Sequence, residues 1–344
     1  MARIVLADDG IAFDGRSPEA GPLGGVESAV VYLVRELARR GHQVSVHNKC
    51  ENREEIDGVL WSPIGDGLPG EADLYIANRG DKLLPLMPHA RRTIFWIHNP
   101  ARYLLKLRYL SKLWRLKPAI VFVGDYHATT YPAWAPVGDR VVIPYGVAPL
   151  FSGLAEIEDP PPARAIFTSN PLRSLNWLLD LWTARIRPQV PDGELHLFTG
   201  ALTYGAIGAR KSDPMEQVLA RARELADHGV VLREPVSKTE LLSELRSSRV
   251  MLYRGDLNET FCLAVGEAQA AGVPAVVQRF GSMVERVIDG ETGSVTDSDD
   301  EFASAAIRLL TGNETWRSQH RAALEKQSRW TWPHAAAAFE RLIP

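Results

Sequence analysis

Short, almost uninterrupted apolar runs rich in β-branched residues recur along the chain, separated by stretches with helical spacing. The first set falls at residues 3–7, 44–46, 74–77, 93–97, 120–123 and 141–143. Unbroken rather than alternating apolarity marks strands buried on both faces, which is the signature of a parallel sheet. Parallel neighbours need crossover helices, and residues 26–40 offer one, with Val30, Leu33, Val34 and Leu37 on one face and Gly41 as C-terminal cap. The pattern restarts at 165–168, 195–198, 230–232, 250–253 and 275–277, interleaved with helical stretches 175–187 and 215–227. The fold class is therefore α/β, with two doubly wound, Rossmann-like domains.

A chain of 344 residues suits two such domains. Between the halves, residues 151–163 carry Pro160, Pro161 and Pro162, which continue neither a helix nor a central strand, so the boundary is placed near residue 149. Domain one is then 1–149 and domain two 150–330. A last helix after Pro333, with small residues at 335–338, is expected to cross back, joining 331–344 to the first domain. Two such lobes facing each other would leave a cleft between them.

Charge and composition narrow the partners. With 39 basic and 42 acidic residues no overall positive field recruits nucleic acid. Cys50 and Cys262 are the only cysteines, which argues against a disulfide framework and for a reducing, cytoplasmic setting. Asp8 and Asp9 follow the first apolar run too soon for a signal-peptide core, so the chain is expected to begin directly with a strand.

The chemistry concentrates after the strand at 250–253. Residues 254–263 form a loop at the carboxyl end of a parallel strand, where open α/β sheets bind ligands. The amides of Phe261, Cys262 and Leu263 fall at the start of the next helix, where unpaired N–H groups and the helix dipole favour a diphosphate. Glu259 and Glu267 are spaced so that their backbones lie up to ~12 Å apart along a helix, about the reach from a sugar to a ribose. Carboxylates accept charge-assisted bonds from vicinal hydroxyls and repel phosphate, so the phosphates need amides or cations.

This pair stands in ETFCLAVGEAQAAGVPAVV, which closely resembles the Glu-x7-Glu signature of the retaining GT-B glycosyltransferases (glycosyl transferases group 1, family 4). The resemblance implies a GT-B fold and a nucleotide diphosphate sugar as donor substrate, with no separate cofactor. It also implies that Glu259 binds donor-sugar hydroxyls and Glu267 the ribose, with Thr260 and the amides of 261–263 on the sugar and phosphate. Matches elsewhere include Gly24-Gly25-Val26-Glu27, with Gly25 a donor contact, although no GxGxxG fingerprint is present. In FWIHNP, His98 would approach the reaction centre; VIPYGV at 142–147 is similar to the family's inter-lobe hinge, where asparagine is commoner than Tyr145. The departure at Tyr145 carries no evident chemical consequence in the sequence.

Arg173, in FTSNPLRSLNWLL, takes the second place of the family's Arg and Lys diphosphate clamp, the first being Thr168 or Ser169. Backbone amides, Lys211 or Arg210 would have to make up the missing cation. RFGSMVERVIDGETGSV resembles the closing motif, in which Glu285 has a structural reading. For a metal, Asp8-Asp9 and the acids at 297–300 are the best candidates, but neither has the Asp-x-Asp setting; they are read as solvated or structural, and no metal is assigned. Retention by front-face attack, without a protein nucleophile, follows from the resemblance. The stretch RYLLKLRYLSKLWRLK, from Arg102 to Lys117, is basic and amphipathic: it either binds an anionic bilayer peripherally or packs its apolar stripe on the first domain. The acceptor, a glycan, lipid or small molecule, leaves no mark in the sequence. Rival readings are a nucleotide-sugar epimerase of the same fold and a catalytically silent sugar-nucleotide-binding subunit.

Overall fold

The structure, a computed structural model, describes residues 1–21, 23–200, 212–327 and 330–344. It divides into two compact units: Met1–Ala20 and Gly25–Gly146 with Trp330–Pro344, and Gly21–Gly24 with Val147–Arg329. Each is a Rossmann-like layer of parallel strands with helices on its faces.

In the first unit the order is β1 (Arg3–Asp8), α1 (Gly25–Arg39), β2 (Gln43–Asn48), β3 (Glu54–Ile56), β4 (Val59–Pro63), β5 (Leu74–Asn78), β6 (Arg92–Trp96), α2 (Leu107–Leu116), β7 (Ala119–Phe122) and β8 (Arg140–Val142). The sheet runs β3-β4-β2-β1-β5-β6-β7-β8 and is parallel except for the β3–β4 pair. The apolar stripe of α1 is wholly buried at Val30, Leu33, Val34 and Leu37, and Gly41 follows at φ 91° as expected of a C-terminal glycine. Tyr75, Phe95, Ile120 and Phe122 pack a continuous core beneath the sheet.

The β3–β4 hairpin was not among the expected strands. Its two-residue turn, Asp57-Gly58, has positive φ at both positions (53° and 74°), the type I′ geometry that Asp-Gly favours. The signal was present, but the flanking runs are short and partly polar, so apolar content alone passes over them.

The second unit comprises β9 (Arg164–Phe167), α3 (Leu175–Leu181), β10 (Glu194–Phe198), α4 (Ser212–Glu224), β11 (Val230–Arg233), α5 (Lys238–Arg246), β12 (Val250–Leu252), α6 (Leu263–Ala270), β13 (Ala275–Gln278), β14 (Gly293–Thr296), α7 (Asp299–Thr311) and α8 (Asn313–Gln327). Its strands are all parallel, in the order β11-β10-β9-β12-β13-β14. The helix expected at 175–187 is regular only to Leu181 and then widens into a π-type turn over Trp182–Ile186.

The chain returns to the first unit as α9 (Trp332–Glu340), which packs against α1. Ala335 and Ala336 let the backbones approach, Phe339 lies edge-on to Trp96 at 5.3 Å, and Trp332 lies 6.1 Å from Tyr32. Burying each of these two rings contributes about 1.5–3 kcal/mol. At the far end Glu340 pairs with Arg40 and His42, and those bonds push its pKa down to about 2.

Candidate functional site

In both units the polar side chains gather where the strand order reverses, at the carboxyl ends of the strands, which is where such sheets leave a crevice for ligands. In the second unit the switch point lies between β9 and β12. The loop after β9 carries Arg173 and the loop after β12 carries Glu259, so neighbouring strands bring together residues 86 apart in sequence.

Arg173 Nη1 bonds Glu259 Oε2, and the Tyr253 hydroxyl donates to the same oxygen at 2.7 Å. Burial opposes the Arg173 charge, but the Glu259 carboxylate and the Tyr253 oxygen outweigh it and raise the pKa. Tyr253 is pushed well above its ordinary range, by burial first and by Glu259 second. The closing motif holds this loop from behind: Ser282 N donates to Glu259 O at 3.1 Å. Gly281, at φ 56°, lies so close that a Cβ there would come within 2.4 Å of Asp256 O and 2.7 Å of Glu259 O, so a glycine is required.

Cys262 turns the chain into α6 from a left-handed conformation (φ 63°), leaving the first amides of that helix facing out of its N-terminus. Thr260, Phe261 and Cys262 are buried and Leu263 is half-buried. Lys238 has no signal in the sequence: its Nζ donates at 2.6 Å to both carboxylate oxygens of Glu267, which is 4% exposed. Lys238 opens α5, held there by the Ser237 and Glu240 capping box. No local spacing connects it to Glu267. Arg286 was missed as well; its wholly buried guanidinium stacks 4.1 Å over the Phe261 ring, and burial lowers its pKa to about 10. Arg173 is thus not the sole cation on this side of the unit. Arg210 and Lys211 lie outside the described residues.

In the first unit the switch point lies between β1 and β5. Asp8, wholly buried, receives Arg79 Nε and Nη2 at 2.9 and 3.0 Å, Asn78 Nδ2 at 2.6 Å and the Gly10 amide at 2.8 Å. Arg79 Nη2 also reaches Glu27 at 2.8 Å. His98, at the end of β6 and 6% exposed, has Nε2 at 2.5 Å from Asn78 Oδ1 and Nδ1 bonded to the Tyr145 hydroxyl. Tyr145 therefore has a chemical consequence after all, which corrects the expectation that its departure from asparagine carried none. Gly25 is the first residue of α1, two positions before Glu27.

Of the acidic metal candidates Asp9 is exposed, and the others are engaged with cations or donors. Asp8 is held as above, Asp297 pairs with Arg279, Asp300 with Arg185, and Asp299 accepts from Trp177 Nε1 and Gln278 Nε2. In the stretch from Arg102 to Lys117, Tyr109 and Leu113 of α2 pack inward and Lys112 pairs with Asp81, whereas Leu107 and Trp114 stay exposed.

Burial holds His98 and His127 neutral. His127 is lowered to about 4, and His98 well below its ordinary value, by burial first and then by Arg79 and His127. A folded state that refuses protons which the unfolded chain accepts keeps its full stability above the unfolded pKa of ~6.5 and loses it as pH falls toward 4. The unfolding free energy from urea titrations should fall between pH 7 and 5.5 by about 1 kcal/mol for each such histidine, moving the midpoint down with it. A midpoint that does not move over that interval refutes this.

Residues 165–312 match the profile of the family described as Glycosyl transferases group 1. The matched part carries Arg173, Glu259 and Glu267. A D-inositol 3-phosphate glycosyltransferase of Corynebacterium diphtheriae is 36% identical over 152 residues, 44% of this chain and 34% of that protein. The matched stretch spans about a third of the first curated relatives that it matches. Among solved structures, sucrose-phosphate synthase from Thermosynechococcus elongatus aligns with TM-score 0.76 at 16% identity, covering 98% of this chain and 97% of the other. Anabaena HepE, in complex with UDP and glucose, aligns with TM-score 0.69 at 14% identity over 99% and 98%. The fold of the whole chain is therefore GT-B.

Proposed function

We propose that the chain is a retaining glycosyltransferase that moves a hexose-type sugar from a nucleotide diphosphate sugar to an acceptor hydroxyl, without a metal. The observation that carries the reading is the pair Glu259 and Glu267, set on either side of the N-terminus of α6 and each held by a cation, Arg173 and Lys238. Glu267 takes ribose hydroxyls and Glu259 sugar hydroxyls, while the outward amides of α6 and Arg173 take the diphosphate. Arg173 moves from Glu259 to the phosphate when the donor arrives, so one cation serves both states.

In the reaction the bond from the anomeric carbon to the diphosphate oxygen breaks and the acceptor oxygen bonds to that carbon on the same face. The acceptor proton passes to the leaving phosphate oxygen. The amides and Arg173 stabilise the charge that develops there, which is where preorganised donors contribute most. The UDP and glucose bound by HepE support a nucleotide-sugar donor, and the inositol phosphate named for the curated relatives supports a hydroxyl acceptor.

Screening UDP-, GDP- and ADP-sugars by thermal shift, followed by product analysis with and without acceptors, tests the reading. Stabilisation by a nucleotide sugar and acceptor-dependent product with retained configuration are expected. Product formed from donor alone would favour an epimerase, and binding without turnover a silent subunit. No helix among the described residues is long and apolar enough to cross a membrane. We place the enzyme in the cytoplasm, with the exposed Leu107 and Trp114 and the cations around them touching an anionic bilayer. Co-sedimentation with phosphatidylserine vesicles but not with phosphatidylcholine vesicles is expected, and should weaken in Trp114→Ala; equal recovery with both lipids would overturn it.

A further inference from the structure

The polar chain beneath the end of β6 dictates where the proton on His98 sits. Asp8 binds the Arg79 guanidinium through both oxygens and the Gly10 amide through one, and its last contact is the side-chain amide of Asn78. A carboxylate offers only lone pairs, so the Asn78 atom that faces it is the NH2 group. That orientation turns Asn78 Oδ1 toward His98 Nε2 at 2.5 Å. An amide oxygen only accepts, so Nε2 carries the imidazole proton. Nδ1 is then the bare nitrogen, and the Tyr145 hydroxyl donates to it.

The surroundings keep this arrangement rigid. The His98 ring stacks on Tyr145 with centroids 5.9 Å apart and meets Trp96 edge-on at 4.9 Å. Tyr145 in turn lies 6.1 Å from Trp332. Gly146 beside it allows the returning chain to pass, since a Cβ there would come within 2.3 Å of Trp332 N. A general base needs a free lone pair and a proton affinity near the working pH, and this ring offers neither.

We propose that Tyr145 is a positioning residue which, with Asp8 and Asn78, holds His98 as the neutral Nε2–H tautomer, so that the His98 ring serves the reaction as a fixed surface rather than by exchanging a proton. The part about the reaction rests on the glycosyltransferase reading; the tautomer does not.

The test uses the full chain labelled with 15N-histidine, His98 being assigned by the signals lost in His98→Gln. In the wild type, Nε2 is expected to show the shift of a protonated nitrogen and Nδ1 that of a bare, hydrogen-bonded one, unchanged from about pH 8 to about 5.5. Tyr145→Phe keeps the ring, and is expected to move the Nδ1 shift to that of an unbonded lone pair while Nε2 stays protonated. With a donor that turns over, kcat should fall roughly five- to tenfold, the worth of one neutral hydrogen bond, with KM for the donor held within about twofold. His98 titrating in that pH range, a proton on Nδ1, or nitrogen shifts unmoved in Tyr145→Phe would each overturn the proposal. If no nucleotide sugar turns over, the glycosyltransferase reading fails while the nitrogen shifts still decide the tautomer.

Discussion

Replacing Arg173 with alanine is expected to lower kcat/KM for the nucleotide-sugar donor by roughly 10²–10³, the usual loss when one charge-stabilising donor is taken from a reacting oxygen. The guanidinium stands at the carboxyl end of β9, beside the loop that enters α6, and its present partner is Glu259. Two consequences separate this account from simple damage. A nucleoside without phosphates should bind Arg173→Ala as well as it binds the wild type. Arg173→Lys, which keeps the charge but not the planar fork, should fall between the two. The Tyr253 hydroxyl still bonds Glu259 in these variants, so the carboxylate keeps one of its partners. Equal turnover in all three proteins would remove Arg173 from the diphosphate site.

Glu267→Ala is expected to raise the Kd for nucleoside diphosphates by roughly 10–100-fold, corresponding to the loss of hydrogen bonds from ribose hydroxyls to a charged acceptor. Lys238 clamps both oxygens of this carboxylate, which fixes the plane in which its remaining lone pairs point. Lys238→Met should therefore give a smaller loss of the same kind. Calorimetry with UDP, GDP and ADP, and with their 2′,3′-dideoxy forms, is decisive. The penalty of Glu267→Ala should shrink for ligands that lack the hydroxyls, and unchanged affinity for the parent nucleotides would sink the ribose assignment. KM should rise more than kcat falls, since the ribose contact is made equally in ground and transition states.

The two carboxylates were singled out in the sequence because they stand in one motif that resembles a known signature, and the structure sets both on one loop and the helix that follows it. Arg173 was legible for a related reason, as it sits in the first strand-to-helix loop of its unit. Lys238 and Tyr253 were not, because their bonds to Glu267 and Glu259 depend on how the helices and strands assemble. The β3–β4 hairpin shows the reverse case, a turn written plainly in Asp57-Gly58 between strands too short and polar to announce themselves. Arg210 and Lys211, considered for the diphosphate, lie outside the described residues.

By itself the sequence determined the two parallel sheets, the helices that cross them and the Glu259 and Glu267 pair, since apolar runs and local spacing act over a few residues whatever else the chain does. Only the tertiary structure decided what each charged or polar group answers to: Arg173 to Glu259, Lys238 to Glu267, and Tyr145, through His98 and Asn78, to Asp8. A buried hydrogen bond must be satisfied by whichever partner folding brings within about 3 Å, and that partner is chosen by the order of strands in the sheet rather than by nearness along the chain.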